Sequence, residues 1–175
     1  VEGINEVLLQ SPEIVIGLAG FQSFLHDLKE LIEIKDKLKG VRVGLVGYYP
    51  TLYPEKTIDK GIDFVLLGEG EIGLKALLVG KLASPGIASF KGNGGIAPRL
   101  TSDEYNKLPI PAFDLIKPQL YREVGLGSSL VCVQFTRGCP YSCSYCVTTY
   151  GQKMVRRSVG NVLDELETIQ KMGIA

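Results

Sequence analysis

Residues 41–67 read VRVGLVGYYPTLYPEKTIDKGIDFVLL. Two unbroken aliphatic runs of strand length, 41–46 and 62–67, flank a short segment in which Thr51 and Pro54 favour a helix start and Gly61 a helix end. Strands without polar alternation that are separated by helices are typical of a parallel sheet covered on both faces. This stretch therefore predicts an α/β fold.

The same alternation continues on both sides of this stretch. Upstream, the apolar run EIVIGL (13–18) predicts a strand, and the apolar spacing over residues 24–38 predicts a helix. Ser23 is a candidate N-cap for that helix, and Gly40 is a candidate stop. Downstream, residues 71–78 predict another helix.

The middle of the chain, residues 81–128, departs from this rhythm. The segment GIASFKGNGGIAP (86–98) predicts a small hairpin, and prolines at 98, 109, 111 and 118 disfavour regular elements after it. From residue 129 the rhythm restarts, with a strand at 129–136, a cysteine-bearing loop at 137–151 and a helix at 158–172. Ser158 and Gly173 are expected to cap and stop that helix. We therefore expect three parts: 1–82, a linker at 83–128, and 129–175.

Composition narrows the classes of function. The 175 residues contain 19 basic and 19 acidic side chains, so the net charge of zero gives no sign of a nucleic-acid partner. No apolar run approaches the length of a membrane span, and no secretion signal is evident. We expect a cytoplasmic protein with no membrane partner. The single histidine, His26, excludes multi-histidine zinc sites and HExxH proteases, and it is expected to lie on a helix without binding metal.

The cysteines point to a metal. Cys139, Cys143 and Cys146 fall within eight residues at spacing CxxxCxxC, and Cys132 lies upstream. Disulfide frameworks spread their cysteines to close long loops, so this cluster favours metal ligation. The spacing matches neither paired CxxC zinc motifs nor the bacterial ferredoxin run. A structural zinc site completed by Cys132 is the alternative, although a cysteine inside a strand usually acts as a small hydrophobe.

The segment TRGCPYSCSYC (136–146) resembles the signature of the radical S-adenosylmethionine (radical SAM) superfamily, and RRSVGNVLDELE (156–167) is similar to the segment downstream of that signature in many members. The resemblance implies that Cys139, Cys143 and Cys146 hold a [4Fe–4S] cluster whose fourth iron binds S-adenosylmethionine. It also implies that Tyr145 packs near the adenine. Reductive cleavage of S-adenosylmethionine would then yield a 5′-deoxyadenosyl radical, which would abstract hydrogen from an unactivated position.

The N-terminal half resembles cobalamin-binding domains fused to radical SAM enzymes, on the residues 41–71, and LPIPAFDLI (108–116) is similar to the linker that joins the two domains. The resemblance implies that cobalamin is bordered by Gly47, Tyr49, Gly68, Glu69 and Gly70. The family's DxHxxG element does not occur between Val1 and Ala175, and we expect it upstream. Tyr49 stands where the family has a histidine, and Ala19 and Phe21 stand where it has serine and leucine. A sheet that has lost cobalamin binding is the alternative.

Together these resemblances predict the C-terminal part of a Rossmann-like parallel sheet domain, the Pro-rich linker with its hairpin, and the first βα unit of a radical SAM partial barrel. The expected reaction is methyl transfer or ring formation on a small molecule, with flavodoxin or ferredoxin as electron donor. A tRNA methylthiotransferase and a non-catalytic module with structural zinc are the alternatives. The methylthiotransferase family carries three further cysteines in its N-terminal domain, which this sequence lacks.

Two groups of charged residues have both a structural and a functional interpretation. Glu69 and Glu71 either contribute to a ligand site or cap the helix that begins near Ile72, where acidic side chains favour the positive end of the helix dipole. Lys153, Arg156 and Arg157 either bind a substrate anion or lie solvated on the surface. We expect the structural interpretation for both groups, because short charge clusters are weak evidence of a site.

The size of the chain leads to a prediction about its activity. A closed eight-stranded barrel needs about 250 residues, so we expect this chain to be a fragment that holds one βα unit of the barrel. One unit cannot exclude water from a radical. We expect the 175-residue chain by itself to cleave S-adenosylmethionine weakly or not at all, as measured by release of 5′-deoxyadenosine. Robust turnover by this chain would contradict the expectation.

Overall fold

The computed structural model describes residues 2–117, 120–121, 130–147 and 150–173. The chain divides into two compact units. The first consists of Val1–Arg99 with Ser144–Tyr150, and the second of Leu100–Cys143 with Gly151–Ala175.

The first unit is built on a five-stranded sheet in the order β1-β2-β3-β4-β5. Strands β1 to β3 are parallel, whereas β4 and β5 are antiparallel to their neighbours. The elements are α1 (Glu2–Gln10), β1 (Ile14–Leu18), α2 (Phe24–Lys37), β2 (Arg42–Val46), α3 (Tyr48–Leu52), α4 (Pro54–Ile58), β3 (Phe64–Leu66), α5 (Gly70–Leu78), β4 (Ile87–Ser89) and β5 (Gly92–Asn93). The predicted mostly parallel α/β sheet is confirmed.

Helices cover both faces of this sheet. On one face, buried side chains of α2, including Leu31 and Ile34, pack with Val43 and Leu45 of β2. On the other face, Phe64 and Leu66 of β3 pack with Leu77 of α5 and Ile87 of β4. Because strand residues alternate between faces, unbroken apolar runs supply both layers.

The hairpin predicted around residues 92–95 forms, but it belongs to the sheet. Strand β4 pairs with β3 in the register Val65↔Ala88, and Ile87 and Ala88 are buried. The sequence pattern had indicated a linker for this segment. The difference arises because the buried segment that extends the sheet beside β3 consists of only three residues, Ile87, Ala88 and Ser89, which are too few to show a periodic pattern.

The second unit contains α6 (Ser102–Asn106), a 3-10 helix (Phe113–Leu115), β6 (Thr136–Arg137), β7 (Val155–Arg156) and α7 (Val159–Lys171). Helix α6 lies in the segment expected to be irregular. A capping box stabilises it: the Thr101 hydroxyl accepts from the Glu104 N–H at 3.2 Å, and the Glu104 carboxylate accepts from the Thr101 N–H at 2.8 Å.

The strand predicted at 129–136 is wrong over the described part of that range. Residues 130–135 are irregular, and only Thr136 joins a two-residue ladder with β7; Ser129 lies outside the described residues. Cys132 and Val133 are exposed, so among the described residues of the second unit no layer covers this part of the aliphatic run. Of the expected βα unit, the described residues therefore form the helix but not the strand.

The helix predicted at 158–172 is confirmed as α7. The Ser158 hydroxyl caps it by accepting from the Asn161 N–H at 3.2 Å, and Gly173 follows it with a φ of +76°. The Ser23 hydroxyl, by contrast, makes no capping bond to α2 and instead accepts from the Gly20 N–H at 3.1 Å. In the part of the chain that the structure describes, no helix has the length and apolarity needed to cross a membrane.

Gly44 of β2 lies directly under an aromatic ring, which leads to a prediction about stability. A Cβ at this position would come within 2.1 Å of the Phe64 ring. We expect Gly44→Ala to lower the free energy of unfolding by about 1–3 kcal/mol, because an added methyl in a packed core forces its neighbours to shift. Gly20→Ala is the control, since its Cβ would meet only Ser23 Oγ at 3.8 Å. Equal losses in urea unfolding of the two variants would contradict this explanation.

Candidate cofactor-binding loops

The carboxyl ends of β1 and β2 approach each other closely at Gly47. This residue has a φ of +126°, and a Cβ on it would lie 2.2 Å from the Ala19 carbonyl oxygen. The Ala19 N–H donates to the Val46 carbonyl at 2.8 Å. Position 47 therefore requires glycine, because any side chain would collide with the backbone of Ala19 at the end of the neighbouring strand. Contact between Gly47 and a flat ligand stays a prediction.

Tyr49 lies in an aromatic cluster at the same edge of the sheet. Its ring stacks on Phe24 with a centroid distance of 3.9 Å, and the Phe21 ring meets it edge-on at 5.6 Å. Tyr53 lies 5.1 Å from the same ring. Phe21 and Tyr49 are two of the departures from the cobalamin-binding pattern, and the structure brings their side chains together. The sequence pattern did not single out Phe24 and Tyr53 as members of this cluster. Their spacing was a signal, because each lies about one helical turn from Phe21 or Tyr49 along the chain.

The turn after β3 is tied to helix α3, which follows β2. Gly68 has a φ of +71°, and its N–H donates to the buried Thr51 hydroxyl at 3.1 Å. Gly70 begins α5, and Glu69 occupies the N-cap position without a side-chain capping bond. The Glu69 carboxylate, 3% exposed, instead accepts from Arg99 Nε at 2.9 Å. Burial and this ion pair direct the side chain of Glu69 into the protein.

The cysteine loop begins after β6 and ends before β7, which pair in the register Arg137↔Val155. The Cys139 N–H donates to the Gly151 carbonyl at 3.1 Å, and Cys139 itself is half-buried. Cys143, Cys146 and Cys132 are exposed, and all four thiols are free. The expectation that Cys132 is a packed small hydrophobe is therefore wrong. Tyr145 is 86% exposed.

Within the described residues, no group of three or more His, Cys, Asp or Glu side chains is arranged to hold a metal ion. Cys146 belongs to the first unit, whereas Cys139 and Cys143 belong to the second. The ligand set Cys139, Cys143 and Cys146 therefore stays a prediction. Its donor chemistry fits an iron–sulfur cluster, because free thiols that can ionise to thiolates are the ligands such clusters take.

At the carboxyl-end edge of the first sheet, the aromatic rings of Phe21, Tyr48 and Tyr53 are partly exposed. Such rings suit contact with a flat macrocycle. They offer no imidazole, since His26 lies exposed on α2 with its ring 3.2 Å from Glu30. The expectation that His26 is a helix-surface residue is confirmed. In the basic group, Arg156 is exposed, but the Arg157 side chain is only 5% exposed and is ion-paired. The expectation that Arg157 is solvated is wrong.

Known proteins resemble this chain along nearly its whole length, although no family model matches it. It is 30% identical over 179 residues to an uncharacterized methyltransferase, sll1242, of Synechocystis, covering 99% of this chain and 30% of that protein. It is 29% identical to the hopanoid C-3 methylase of Methylococcus capsulatus, covering 87% of this chain and 32% of that protein.

A solved structure shares the fold: the radical S-adenosylmethionine methyltransferase TsrM from Kitasatospora setae with cobalamin and a [4Fe–4S] cluster bound. The TM-score is 0.63 at 20% identity, covering 98% of this chain and 38% of that one. In sequence the chain is similar to methyltransferases, and it shares the fold of a radical SAM enzyme that binds cobalamin. It spans about a third of the length of each of these three proteins.

Thr51 links helix α3, which carries Tyr49, to the turn at Gly68, and its substitution tests that link. We expect Thr51→Val to lower the free energy of unfolding by about 1–3 kcal/mol, because it leaves the Gly68 N–H without its hydrogen-bond partner. Thr51→Ser keeps the hydroxyl and is expected to retain more than half of that stability. Urea unfolding of both variants provides the measurement, and a valine variant as stable as the serine variant would contradict the link.

Proposed function

We propose that the complete protein carries out a radical SAM reaction, namely methyl transfer or ring formation at an unactivated carbon of a small molecule. The alignment with a methyltransferase along 99% of the chain supports this proposal most strongly. The CxxxCxxC spacing of free thiols in one loop supports it independently. Neither depends on the charge or overall composition of the chain.

In this proposal Cys139, Cys143 and Cys146 hold three irons of a [4Fe–4S] cluster, and the fourth iron stays open to the amino and carboxylate groups of S-adenosylmethionine. When bound, the cluster supplies the single electron that cleaves the carbon–sulfur bond of that cofactor. The exposed ring of Tyr145 packs near the adenine. The protein contributes binding, orientation and exclusion of water, while the cofactors carry the difficult chemistry.

We assign the edge of the first sheet to cobalamin, with Gly47, Tyr49, Gly68, Glu69 and Gly70 bordering the corrin. Support comes from the described geometry: the turn after β3 is tied to helix α3, and aromatic rings are partly exposed at the same edge. Glu69 would contribute through its backbone, because its carboxylate is buried against Arg99. Tyr49, stacked on Phe24, would contribute an immobile aromatic surface in place of a cobalt ligand.

The remaining assignments belong to the same proposal. Residues 1–82 form the cobalamin-binding-like domain, residues 83–128 the linker, and residues 129–175 the start of the radical SAM domain. The hairpin at 87–93 would then be a part of the linker that joins the sheet. A flavodoxin or ferredoxin would supply the electron, and a small molecule would be the substrate.

The decisive experiment is anaerobic reconstitution of the complete gene product with iron and sulfide. We expect about four irons per chain, because three thiolates and S-adenosylmethionine complete one [4Fe–4S] cluster. An EPR signal should appear after reduction and change when S-adenosylmethionine is added. Alkylation should then modify Cys132 while the other three cysteines are protected, and Cys132→Ser should leave the iron content unchanged.

Replacing all three loop cysteines with serine should abolish iron binding and serves as the matched control for Cys132→Ser. A colourless protein that binds one zinc and protects all four cysteines would overturn the proposal in favour of the structural zinc alternative. Cobalamin is tested separately, by absorbance of the purified protein after incubation with hydroxocobalamin and removal of the excess.

A further inference from the structure

The second unit contains a buried ion pair that the proposed chemistry does not use. Arg157 Nη1 lies 2.8 Å from Glu165 Oε2, and the two side chains are 5% and 1% exposed. Arg157 directly follows β7, and Glu165 lies in the middle of α7. A buried pair of this kind is weak evidence for stability, because removing two charges from water offsets most of their attraction. The hydrogen bonds that Arg157 makes to other segments explain the pair better than a gain in stability does.

Arg157 connects three segments of the second unit. Its Nη2 donates to the Leu108 carbonyl at 2.8 Å, and its backbone N–H donates to the Phe135 carbonyl at 2.9 Å. With the bond to Glu165, one residue thus joins the segment before the cysteine loop, the segment after α6, and helix α7. A guanidinium group suits this task because its donors are held in a rigid plane.

Tyr105 of α6 reinforces the same connection. It is buried, and its hydroxyl donates to the Gln134 carbonyl. Its ring lies 4.6 Å from the Arg137 guanidinium carbon and 5.6 Å from that of Arg157, within the range of cation–π attraction. Burial raises the pKa of Tyr105, against smaller opposing effects of the two arginines, so the hydroxyl remains a donor.

Further contacts from α6 reach the segment that comes after the cysteine loop. The Arg156 N–H donates to the Ser102 hydroxyl at 3.3 Å, and the Ser158 N–H donates to Asn106 Oδ1 at 2.6 Å. Asn161 Nδ2 donates to the Asn106 carbonyl at 2.6 Å. Helix α6 therefore contacts both residues 134–137 and residues 156–158, the two segments between which the cysteine loop is held.

We propose that Tyr105, Arg157 and Glu165 are positioning residues for the iron–sulfur cluster, an inference that rests on the proposed function. They fix the two ends of the cysteine loop relative to each other and so reduce the number of conformations that the loop must give up when its thiols bind iron. The β6–β7 ladder is only two residues long, which is too short to do this alone. The bond from the Cys139 N–H to the Gly151 carbonyl places a ligand residue directly on this base.

The test compares four forms of the complete gene product: wild type, Tyr105→Phe, the double variant Arg157→Met with Glu165→Leu, and Arg156→Met. The double variant removes both charges together, so no unpaired charge stays buried. Tyr105→Phe removes only the hydroxyl and guards against a double variant that fails to fold. Arg156→Met is the matched control, since this neighbouring arginine is exposed.

Four quantities are measured: release of iron to a chelator from the reconstituted protein, the width of its EPR signal after reduction, the alkylation rate of Cys139 in the iron-free protein, and the Tm of the iron-free protein. Cys132 is the internal reference for alkylation. We expect Tyr105→Phe and the double variant to release iron about tenfold faster or more, as changes behind metal ligands commonly do. Alkylation of Cys139 should accelerate relative to Cys132, the reduced EPR signal should broaden, and the Tm should change by only a few degrees. Arg156→Met should match wild type throughout.

The outcomes distinguish the positioning role from the proposed function. If wild type binds iron and the variants match it in iron release and alkylation, the positioning role is overturned while the proposed function stands. Iron release that rises only in step with a large fall in Tm would also overturn it, because that pattern indicates a structural role alone. If wild type binds no iron, the proposed function fails and this inference fails with it.

Discussion

Parallel pairing of β1, β2 and β3 is the constraint on which the first unit depends. Strands that run in the same direction end at the same edge, so the turns containing Ala19, Gly47 and Gly68 meet there. Two hydrogen bonds tie this edge together: the Ala19 N–H donates to the carbonyl of Val46 at the end of β2, and the Gly68 N–H donates to the hydroxyl of Thr51 in α3. A ligand that reached this edge would meet a preformed surface, as is usual at the carboxyl ends of strands in α/β folds.

The second unit is organised by different forces. In its described residues the β-structure amounts to a ladder of two pairs, and the segments are joined mainly by side-chain hydrogen bonds to backbone carbonyls. Tyr105 and Arg157 each bind a carbonyl from a segment distant in sequence. Bonds of this kind are directional, so they set the mutual position of segments that share little apolar surface.

The sequence predicted the elements of the first unit well, because its aliphatic runs and helical spacing report directly on a sheet covered on both faces. It failed at residues 130–135, since an aliphatic run indicates a strand only when a neighbouring strand is present to pair with it. The capping box of Thr101 and Glu104 is visible in the sequence, but the density of prolines around it hid the helix. Arg157 looked like one member of a basic group, because its partner Glu165 lies two helical turns away on α7. For Gly47, sequence alone does not distinguish approach to a ligand from approach to another strand.

Strand β1 has one neighbour in the part of the chain that the structure describes, and that neighbour is β2. Its other side presents the N–H and carbonyl groups of IVIGL, an apolar segment without a charged residue or proline to discourage association. Such an edge is a template for any strand that comes near it. Where this edge is uncovered, we expect the isolated chain to associate with itself, and to do so more at higher concentration.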